Sequence, residues 1–568
     1  MALVLLGLLL VGSADAASDS DKRVQASEIM AKFREGEPLE YDNCIVEGNL
    51  DLREKTLGAV HFNKTEFRGS VQFYKANFSG DSFFSGARFV LDASFQDAQF
   101  SGGYASFSDA SFSGGDANFW GAEFSGGDAI FDRAEFSGGS AEFSYANFSR
   151  EYEARFYNTK FSGGDAIFRN AIFSGKALFQ HAKFSGGVGS YFEGAKFLGK
   201  TADFGNTDFL KDVNFSNAES SNHSTMIFTS TRFSGPESIF SEARFGGEAY
   251  FNEAEFSGGA SLFEATEFSG NVTSFRGTKF LADYVSFGNA QFNSPVDFKE
   301  AYFDKVAYFS HVKFRRYTSF YGAKFNDDAF FEGAAFSGEL DLTRTIYNKF
   351  FIKWKSITKF TYDDSAFVLI LKNYKDLGYL EDYDDCYYEY RKERRAEMEE
   401  WHKILGDGFL QLASGYGTKP LRPLIFSSVI IILFSVVWRA VGLVNPNGIM
   451  DVYRLKEPVW GNWHRSRTGK AIKCMKNDES VYILRWLGRR PILIFLKDMI
   501  QDMIPVIFYS ATVFLSGTKL FIDPPNTPKI IGAPRNLIKG LFITERILGA
   551  ILSILFVMAI SWTVVRPL

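Results

Sequence analysis

Phenylalanine recurs along much of the chain at alternating steps of five and about seven residues. Alanine commonly stands two positions before each phenylalanine, and the residue between them is often polar, as in Ala122-Glu123-Phe124. Residues two apart in an extended chain point to the same face, so the pattern predicts alanine and phenylalanine inside and the middle residue in solvent. Ser, Gly and Asp follow each phenylalanine and favour turns. Each repeat therefore predicts one very short strand and one corner. A regular stretch contains Phe112, Phe119, Phe124, Phe131, Phe136, Phe143 and Phe148.

Strands this short cannot bury an inner face alone, but stacked coils can, because each coil bonds to the next about 4.8 Å away. Phenylalanine at these steps does not keep to one face of a helix, and the frequent glycine disfavours a helix. We expect a β-solenoid of roughly 12–13 coils, each of about 23 residues, with phenylalanine stacked inside. The regularity lapses near residues 214–226, where we expect a protruding loop.

The Ala-x-Phe units resemble those of the pentapeptide-repeat family over residues 50–336. The resemblance implies a right-handed, four-sided β-helix with one pentad on each side. Alternate pentads carry one to three extra residues here, such as Gly127 and Asp128, which we interpret as bulged corners. One branch of the family mimics DNA and binds topoisomerases. The hydrophobic segments near the C-terminus make that role the weakest alternative for this chain.

Composition divides the chain into five segments. Residues 1–16 are apolar, end in Ala-Asp-Ala and predict a secretory signal peptide. An N-terminal cap is expected at 17–49, the β-solenoid at 50–345, an α-helical linker at 346–410 and a transmembrane α-helical domain at 411–568. The predicted fold class is thus mainly β, with helices at the C-terminal end. In the linker, Asp364 and Ser365 are expected to cap the first helix, and Gly378 to break it.

Three hydrophobic segments lie in the last domain, at 424–444, 503–517 and 547–565. The first and third have the length of a membrane span, whereas the second is short and suits a re-entrant or interfacial helix. This order resembles a two-helix cation-channel pore domain. The sequence from Phe508 to Phe514 is similar to a pore helix, and that from Glu545 to Gly549 is similar to an inner helix.

The filter position of this resemblance departs from the channel pattern. It reads Leu-Ser-Gly-Thr-Lys-Leu over residues 515–520, without the Gly-Tyr-Gly run whose carbonyls replace the hydration shell of potassium. The resemblance is therefore to a degenerate pore domain. Under this alternative, the chain would form an oligomer, a tetramer if it conducts ions. The residues placed near the pore are Tyr509, Thr512, Ser516, Gly517 and Thr518.

Charge and motifs exclude several function classes. The net charge of −5 is close to balanced and does not predict a nucleic-acid partner. Three cysteines and six histidines are scattered without metal-ligand or disulfide spacing. The sequence carries no phosphate-binding loop and no nucleophile elbow. We therefore predict no catalytic residue, no cofactor and no metal ligand.

Six Asn-x-Ser/Thr sequons are candidate glycosylation sites, or products of the repeat composition alone. They are Asn63, Asn77, Asn147, Asn214, Asn222 and Asn271. The basic segment 454–490 predicts a cytoplasmic loop, and the leader predicts an exported solenoid. The first interpretation is an integral protein of the cell membrane with an extracellular solenoid that acts as an interaction scaffold. The ion channel and the DNA mimic are the alternatives.

Overall fold

The computed structural model describes residues 22–149, 152–441, 443, 492–518, 523–525, 527–528 and 534–564. The predicted signal peptide and the basic segment 454–490 lie outside these residues. The chain divides into two compact units, Met1–Asp382 and Tyr383–Leu568, and we call the second the helical unit. The predicted fold class is confirmed: a parallel β-solenoid of about 15 turns is followed by helices.

Each turn of the solenoid contributes one short strand to each of four parallel ladders, which we number in chain order. Ladder 1 contains Lys22–Gln25, Cys44–Glu47, Glu66–Phe67, Arg88–Phe89, Ser111–Phe112, Glu135–Phe136, Lys160–Phe161, Lys183–Phe184, Asp208–Phe209, Arg232–Phe233, Glu255–Phe256, Lys279–Phe280, Tyr302–Phe303 and Lys324–Phe325. Ladder 2 contains Leu50–Asp51, Val71–Gln72, Ala93–Ser94, Ala117–Asn118, Ala141–Glu142, Ala166–Ile167, Gly189–Tyr191, Asp212–Asn214, Glu237–Ile239, Ala260–Leu262, Tyr284–Ser286, Ala307–Tyr308, Ala329–Phe330 and Phe350–Phe351. Ladder 3 contains Thr56–Leu57, Asn77–Phe78, Gln99–Phe100, Glu123–Phe124, Asn147–Phe148, Ile172–Phe173, Lys196–Phe197, Glu219–Ser220, Arg244–Phe245, Glu267–Phe268, Gln291–Phe292, Lys313–Phe314 and Ala335–Asp341. Ladder 4 contains Leu39–Glu40, Val60–His61, Ser82–Phe83, Ala105–Ser106, Ala129–Ile130, Glu153–Arg155, Lys176–Leu178, Thr201–Asp203, Thr225–Ile227, Ala249–Tyr250, Thr273–Ser274, Val296–Asp297, Thr318–Ser319, the second half of Ala335–Asp341 and Ile357–Phe360.

The solenoid has more turns than the regular phenylalanine pattern predicts. Its first strands begin at Lys22, and its last strand ends at Phe360. The first turns place Ile45, Val46 and Leu50 in the core, so the aromatic rhythm is missing there although the coil geometry is the same. Aliphatic side chains can fill the core of an end turn, because an end turn stacks on only one neighbouring turn.

Phenylalanine rings fill the interior in continuous stacks. Phe143 is fully buried and lies 4.8 Å from Phe119 and 4.9 Å from Phe168, with ring planes within 2° of parallel. Its ring also packs edge-on against Phe131, which belongs to a different stack, at 5.3 Å and 89°. The ring spacing along a stack equals the spacing between hydrogen-bonded strands, so one repeat distance satisfies both interactions.

The glycines of the wide corners are required by close backbone approach. A Cβ at Gly126 would lie 2.5 Å from the backbone nitrogen of Gly103, and one at Gly114 would lie 1.5 Å from the carbonyl oxygen of Val90. The sequence predicted these residues as turn formers, and the structure adds a steric reason. Aspartate completes the corner: Asp116 Oδ1 accepts a 2.7 Å hydrogen bond from the backbone N–H of Ser140 in the next turn.

The prediction of a protruding loop at residues 214–226 is wrong. Strands Glu219–Ser220 and Thr225–Ile227 continue the ladders there, and Phe215 and Met226 are buried. The pattern lapses because Ser220 occupies a position that phenylalanine fills in the turns before and after it. Backbone pairing therefore tolerates the loss of one ring from a stack.

Helices cover both ends of the solenoid. Helix α1, Ala26–Lys32, buries Ala26 and Ile29 at the first turn. Helix α2, Asp364–Asp376, covers the last turn, and its Asn373 side chain both donates to and accepts from the backbone of Phe350, at 2.8 and 2.9 Å. This amide takes the place of a further strand and closes an edge that would otherwise pair with other chains. Asp363, one residue before the predicted caps, accepts from the N–H of Ala366.

Within the described ranges, five longer helices follow α2. Their bounds are Leu380–Ala396 for α3, Trp401–Ser414 for α4, Leu421–Val441 for α5, Ile492–Leu515 for α6 and Arg535–Val564 for α7. Helices α5 and α7 are long and apolar enough to cross a membrane. Helix α6 is longer than the predicted segment 503–517 and contains Pro505. Residues 442, 444 and 565 of the predicted spans lie outside the described residues.

We expect Phe143→Ala to destabilise the solenoid by about 3–5 kcal/mol, because the substitution removes a fully buried ring from a stack. The loss is expected to concentrate in the neighbouring strands Ala117–Asn118 and Ala166–Ile167, since a turn contacts only its neighbours. Amide hydrogen exchange of the purified protein in detergent measures both effects. Glu123→Ala, at an exposed outward position, is the control. Equal loss of protection in both variants would contradict a core held by ring stacking.

Candidate functional sites in the helical unit and on the solenoid

A buried carboxyl group lies where α5, α6 and α7 meet. Glu545 of α7 is fully buried, just before the uncharged stretch 547–561 of that helix. The indole N–H of Trp438 in α5 donates to its Oε2 at 2.6 Å, and the hydroxyl of Ser510 in α6 contacts its Oε1. The ring of Tyr509 packs edge-on against Trp438, at 5.6 Å and 89°. An ionisable residue inside apolar helices is a candidate functional residue by default.

The partners of Ser510 constrain how this cluster is bonded. Ser510 Oγ lies 2.9 Å from the carbonyl oxygen of Ile431 and also contacts Glu545. A hydroxyl has one proton to donate, whereas a backbone carbonyl can only accept. Both contacts are hydrogen bonds at once only when Glu545 supplies a proton to Ser510. A neutral carboxyl, or an amide of the same shape, therefore satisfies all members of the cluster.

Two glycines allow α6 and α7 to approach closely. A Cβ at Gly549 would lie 1.9 Å from the carbonyl oxygen of Phe514, and one at Gly517 would lie 2.3 Å from that of Arg546. Small residues at such contacts are the usual basis of helix association in membranes. The Arg546 guanidinium donates to the carbonyl oxygen of Ser516 at 3.3 Å, which ties the end of α6 to α7.

The residues predicted near a pore take different positions. Tyr509 and Ser516 are buried, and Ser516 donates back to the carbonyl oxygen of Val513 at 2.7 Å. Gly517 lies in the contact with α7, and Thr512 donates to the carbonyl oxygen of Phe508 at 2.7 Å. Thr518 is the last described residue before 519–522. Ion conduction stays a prediction, as does a tetramer.

A second polar cluster joins α3 to α4. The Asp407 carboxylate is buried and accepts from Arg391 at 2.5 Å and from the Tyr416 hydroxyl at 2.6 Å. Burial, together with the hydrogen bond to Asp407, raises the pKa of Tyr416, so its hydroxyl remains a donor at neutral pH. Gln411 extends the cluster by bonding to Arg395. The sequence pattern did not predict this cluster, because its members come together only through the helix packing.

The outer surface of the solenoid is mostly polar, with a few aromatic contacts such as Trp120–Tyr145, at 5.5 Å. On ladder 1, outward residues form ion pairs between turns, such as Glu135–Lys160 at 2.5 Å. On the last turns of ladder 2, three outward rings stack on each other instead: Tyr308 lies 5.4 Å from Phe330, which lies 4.6 Å from Phe351. We call these three residues the outer aromatic stack.

A cleft of about 300 Å³ opens on ladder 4. The Asp341 carboxylate in its wall already accepts from Tyr317, Ser319 and the N–H of Thr343. Burial and the neighbouring Asp341 raise the pKa of the Tyr317 phenol. The carboxylate in this wall is thus held by the protein's own donors. Among the described residues, no three metal-ligand side chains lie together.

The six sequons differ in exposure. Asn147, Asn222 and Asn271 are exposed. The others are half-buried and bonded: Asn214 donates to Glu193 at 2.6 Å, and Asn77 accepts from Ser101 at 2.8 Å. The Asn63 amide bonds to Asp42. A glycan on any of the three half-buried asparagines would displace a side-chain hydrogen bond. Among the described residues, no such bond holds the three exposed asparagines. Their use stays a prediction.

We expect Glu545→Gln to keep the stability of the helical unit, because an amide can accept from Trp438 and donate to Ser510. Glu545→Leu leaves the buried Trp438 N–H without an acceptor and is expected to cost about 1–3 kcal/mol. Thermal unfolding in detergent measures both variants. Thr544→Leu, at the exposed neighbouring position, serves as the control. If Glu545→Leu unfolds at the same temperature as Glu545→Gln, the hydrogen bonds do not stabilise the cluster.

Comparison with known proteins finds a match for the solenoid. Residues 62–111, 168–219 and 298–346 match the family described as "Pentapeptide repeats (9 copies)". The search of curated proteins and the search of solved structures give no match. The matched segments lie at the start, middle and end of the ladders, and the residues between them continue the same strands and ring stacks. The solenoid of this chain is therefore built of pentapeptide repeats.

Proposed function

We propose that this protein is a membrane-anchored scaffold that acts by binding other proteins and catalyses no reaction. The observation that carries the proposal is the inverted polarity of the helical unit. Several polar side chains are buried between its helices, at Ser435, Trp438, Ser510 and Glu545. Many aliphatic side chains of α5 and α7 are exposed, so the unit needs an apolar solvent.

The exposed aliphatic residues form one continuous face on each span. On α5 and α7 they recur mostly at steps of three or four residues, which keeps them on one side of a helix. They include Ile425, Val429, Ile432, Leu433 and Val436 on α5, and Ile543, Ile547, Ile551, Ile554 and Met558 on α7. Exposed apolar faces of this extent are typical of surfaces that contact lipid. Helix α5, with 21 residues, is about 31 Å long, which matches a hydrocarbon core of about 30 Å.

The solenoid supplies the binding surface. Its phenylalanines are consumed by the core, so recognition falls to the outward residues of the ladders. Solenoids present such residues as an extended, regular array. The outer aromatic stack offers apolar contact area, and the paired charges of ladder 1 offer polar contacts.

Two lysines in the middle of α5 are expected to abolish stable membrane integration, because each costs about 2.5–3.5 kcal/mol at the centre of a span. The variant is Ile432→Lys with Val436→Lys, and alkaline carbonate extraction of cell membranes is the assay. The control is Ile346→Lys, since Ile346 is equally exposed but lies on the solenoid. Recovery of the double variant in the membrane pellet, at the level of the control, would contradict anchoring through α5.

We also propose that the solenoid is exported, in line with the apolar leader. Translation of the full chain with mammalian microsomes is expected to produce glycosylated forms, because the sequons enter the lumen with the solenoid. Replacement of all six sequon asparagines by glutamine is expected to remove those forms. A chain that inserts into the microsomes without any glycan, and whose solenoid is digested by external protease, would place the solenoid on the cytoplasmic side.

A further inference from the structure

Helix α4 carries a row of exposed apolar side chains on one face. Trp401, Leu405 and Leu412 are 72%, 63% and 60% exposed, and Ile404 and Phe409 are exposed beside them. Their positions, at steps of three or four, keep them on one side of the 14-residue helix. A single exposed apolar residue needs no explanation, but a contiguous apolar patch indicates contact with a partner or a membrane.

The opposite face of α4 is already occupied. Asp407 is held by Arg391 and Tyr416, and Gln411 accepts from Arg395 at 2.6 Å and donates to Tyr388 at 3.0 Å. Rotation of α4 to bury its apolar face would break these bonds and leave a buried carboxylate unpaired, which is costly. The protein therefore fixes the apolar face of α4 outward.

The C-terminal end of α4 is fixed at the start of the first span. Gly415 adopts a left-handed conformation with φ of 57° and ends the helix, and α5 begins at Leu421. The Arg422 guanidinium in the first turn of α5 donates to the carbonyl oxygen of Gln411 at 2.9 Å. Ala413 packs in the same cluster as Phe514 and Leu552 of the helical unit. Since α5 is about as long as the hydrocarbon core is thick, its first turn lies near the head groups, and so does the end of α4.

We propose that α4 is an interfacial helix whose apolar face enters the boundary between head groups and acyl chains of the same bilayer that α5 crosses. Tryptophan at one end and cationic side chains nearby, at Lys403, Lys419 and Arg422, match the composition of membrane interfaces. The apolar face of α4 thus continues the lipid-contacting face of α5 around the turn at Gly415. This inference rests on the proposed membrane anchoring.

The helix would restrict the movement of the segment that enters the membrane. Its polar face binds α3 through Arg391 and Arg395, and its apolar face would bind lipid, so α3 would be fixed at the bilayer surface. The proposed partner is a lipid surface. A second copy of this chain and a separate protein are the competing occupants, and the experiment distinguishes them.

The test uses the full chain in nanodiscs that hold one copy each, which excludes a second copy as the occupant. Cys474 is replaced by serine, whereas Cys44 and Cys386 are buried and retained. An environment-sensitive NBD label is placed through Leu405→Cys or Leu412→Cys, and through Lys403→Cys on the other side of α4 as the matched control. Both leucines are largely exposed, so the label disturbs little packing.

We expect blue-shifted emission at 405 and 412, and stronger quenching by a nitroxide near the lipid head groups than by one near the chain ends. The control at 403 is expected to show aqueous emission and weak quenching by either lipid. Aqueous emission at 405 and 412 would overturn the proposal, because the face would then require a protein partner. Strongest quenching by the deep nitroxide would also overturn it, because α4 would then lie in the hydrocarbon core.

A label through Ile432→Cys in α5 separates this inference from the membrane anchoring on which it rests. Deep quenching at 432 with aqueous emission at 405 would retain the anchoring and reject the interfacial helix. Absence of quenching at 432 would reject the anchoring itself. Blue-shifted emission at 405 that appears only in nanodiscs with two or more copies would assign the face to a second copy of the chain and reject the lipid contact.

Discussion

Hydrogen bonding between successive turns is the constraint on which the solenoid depends. Its strands are mostly two residues long, so a strand cannot satisfy its backbone groups except through the turns before and after it. This requirement sets the distance between successive turns, and stacked aromatic rings pack well at the same distance. A ring such as Phe143 therefore finds the same environment as Phe119 and Phe168, and the sequence repeats because its surroundings repeat. The corner glycines follow from the same distance, since stacked corners leave no room for a Cβ at positions such as Gly126.

A structure that grows by stacking must end its stack, and here the ends are closed by helices. Helix α1 covers the first turn, and α2 covers the last. The Asn373 amide is the most specific element, because it reproduces both hydrogen bonds of an absent strand at Phe350. Closed ends leave the sides of the solenoid exposed, with ion pairs on ladder 1 and the outer aromatic stack on ladder 2.

The two units bury and expose opposite kinds of side chain. The solenoid buries apolar rings and exposes charges, whereas the helical unit buries Glu545, Trp438 and Ser510 and exposes aliphatic side chains. Helix α4 combines both arrangements, with a bonded polar face and an exposed apolar face. Helix α4 thus lies between the polar surface of α3 and the apolar helices that could cross a membrane.

The sequence by itself determined the solenoid, because its contacts repeat at nearly constant separations. A pattern that recurs in every turn specifies inward and outward positions, the corners and the stacking direction together, and the three segments that could contact lipid are equally evident from their composition. Tertiary structure alone decided the features that do not repeat. Trp438 and Glu545 are 107 residues apart, and no period links them. The prediction of a loop at residues 214–226 is wrong for a related reason. Ser220 interrupts the side-chain pattern there, whereas the backbone pairing that holds the turn in register cannot be seen in the sequence. Local periodicity fixes how each turn is built, whereas the partners of buried polar groups depend on which distant helices meet.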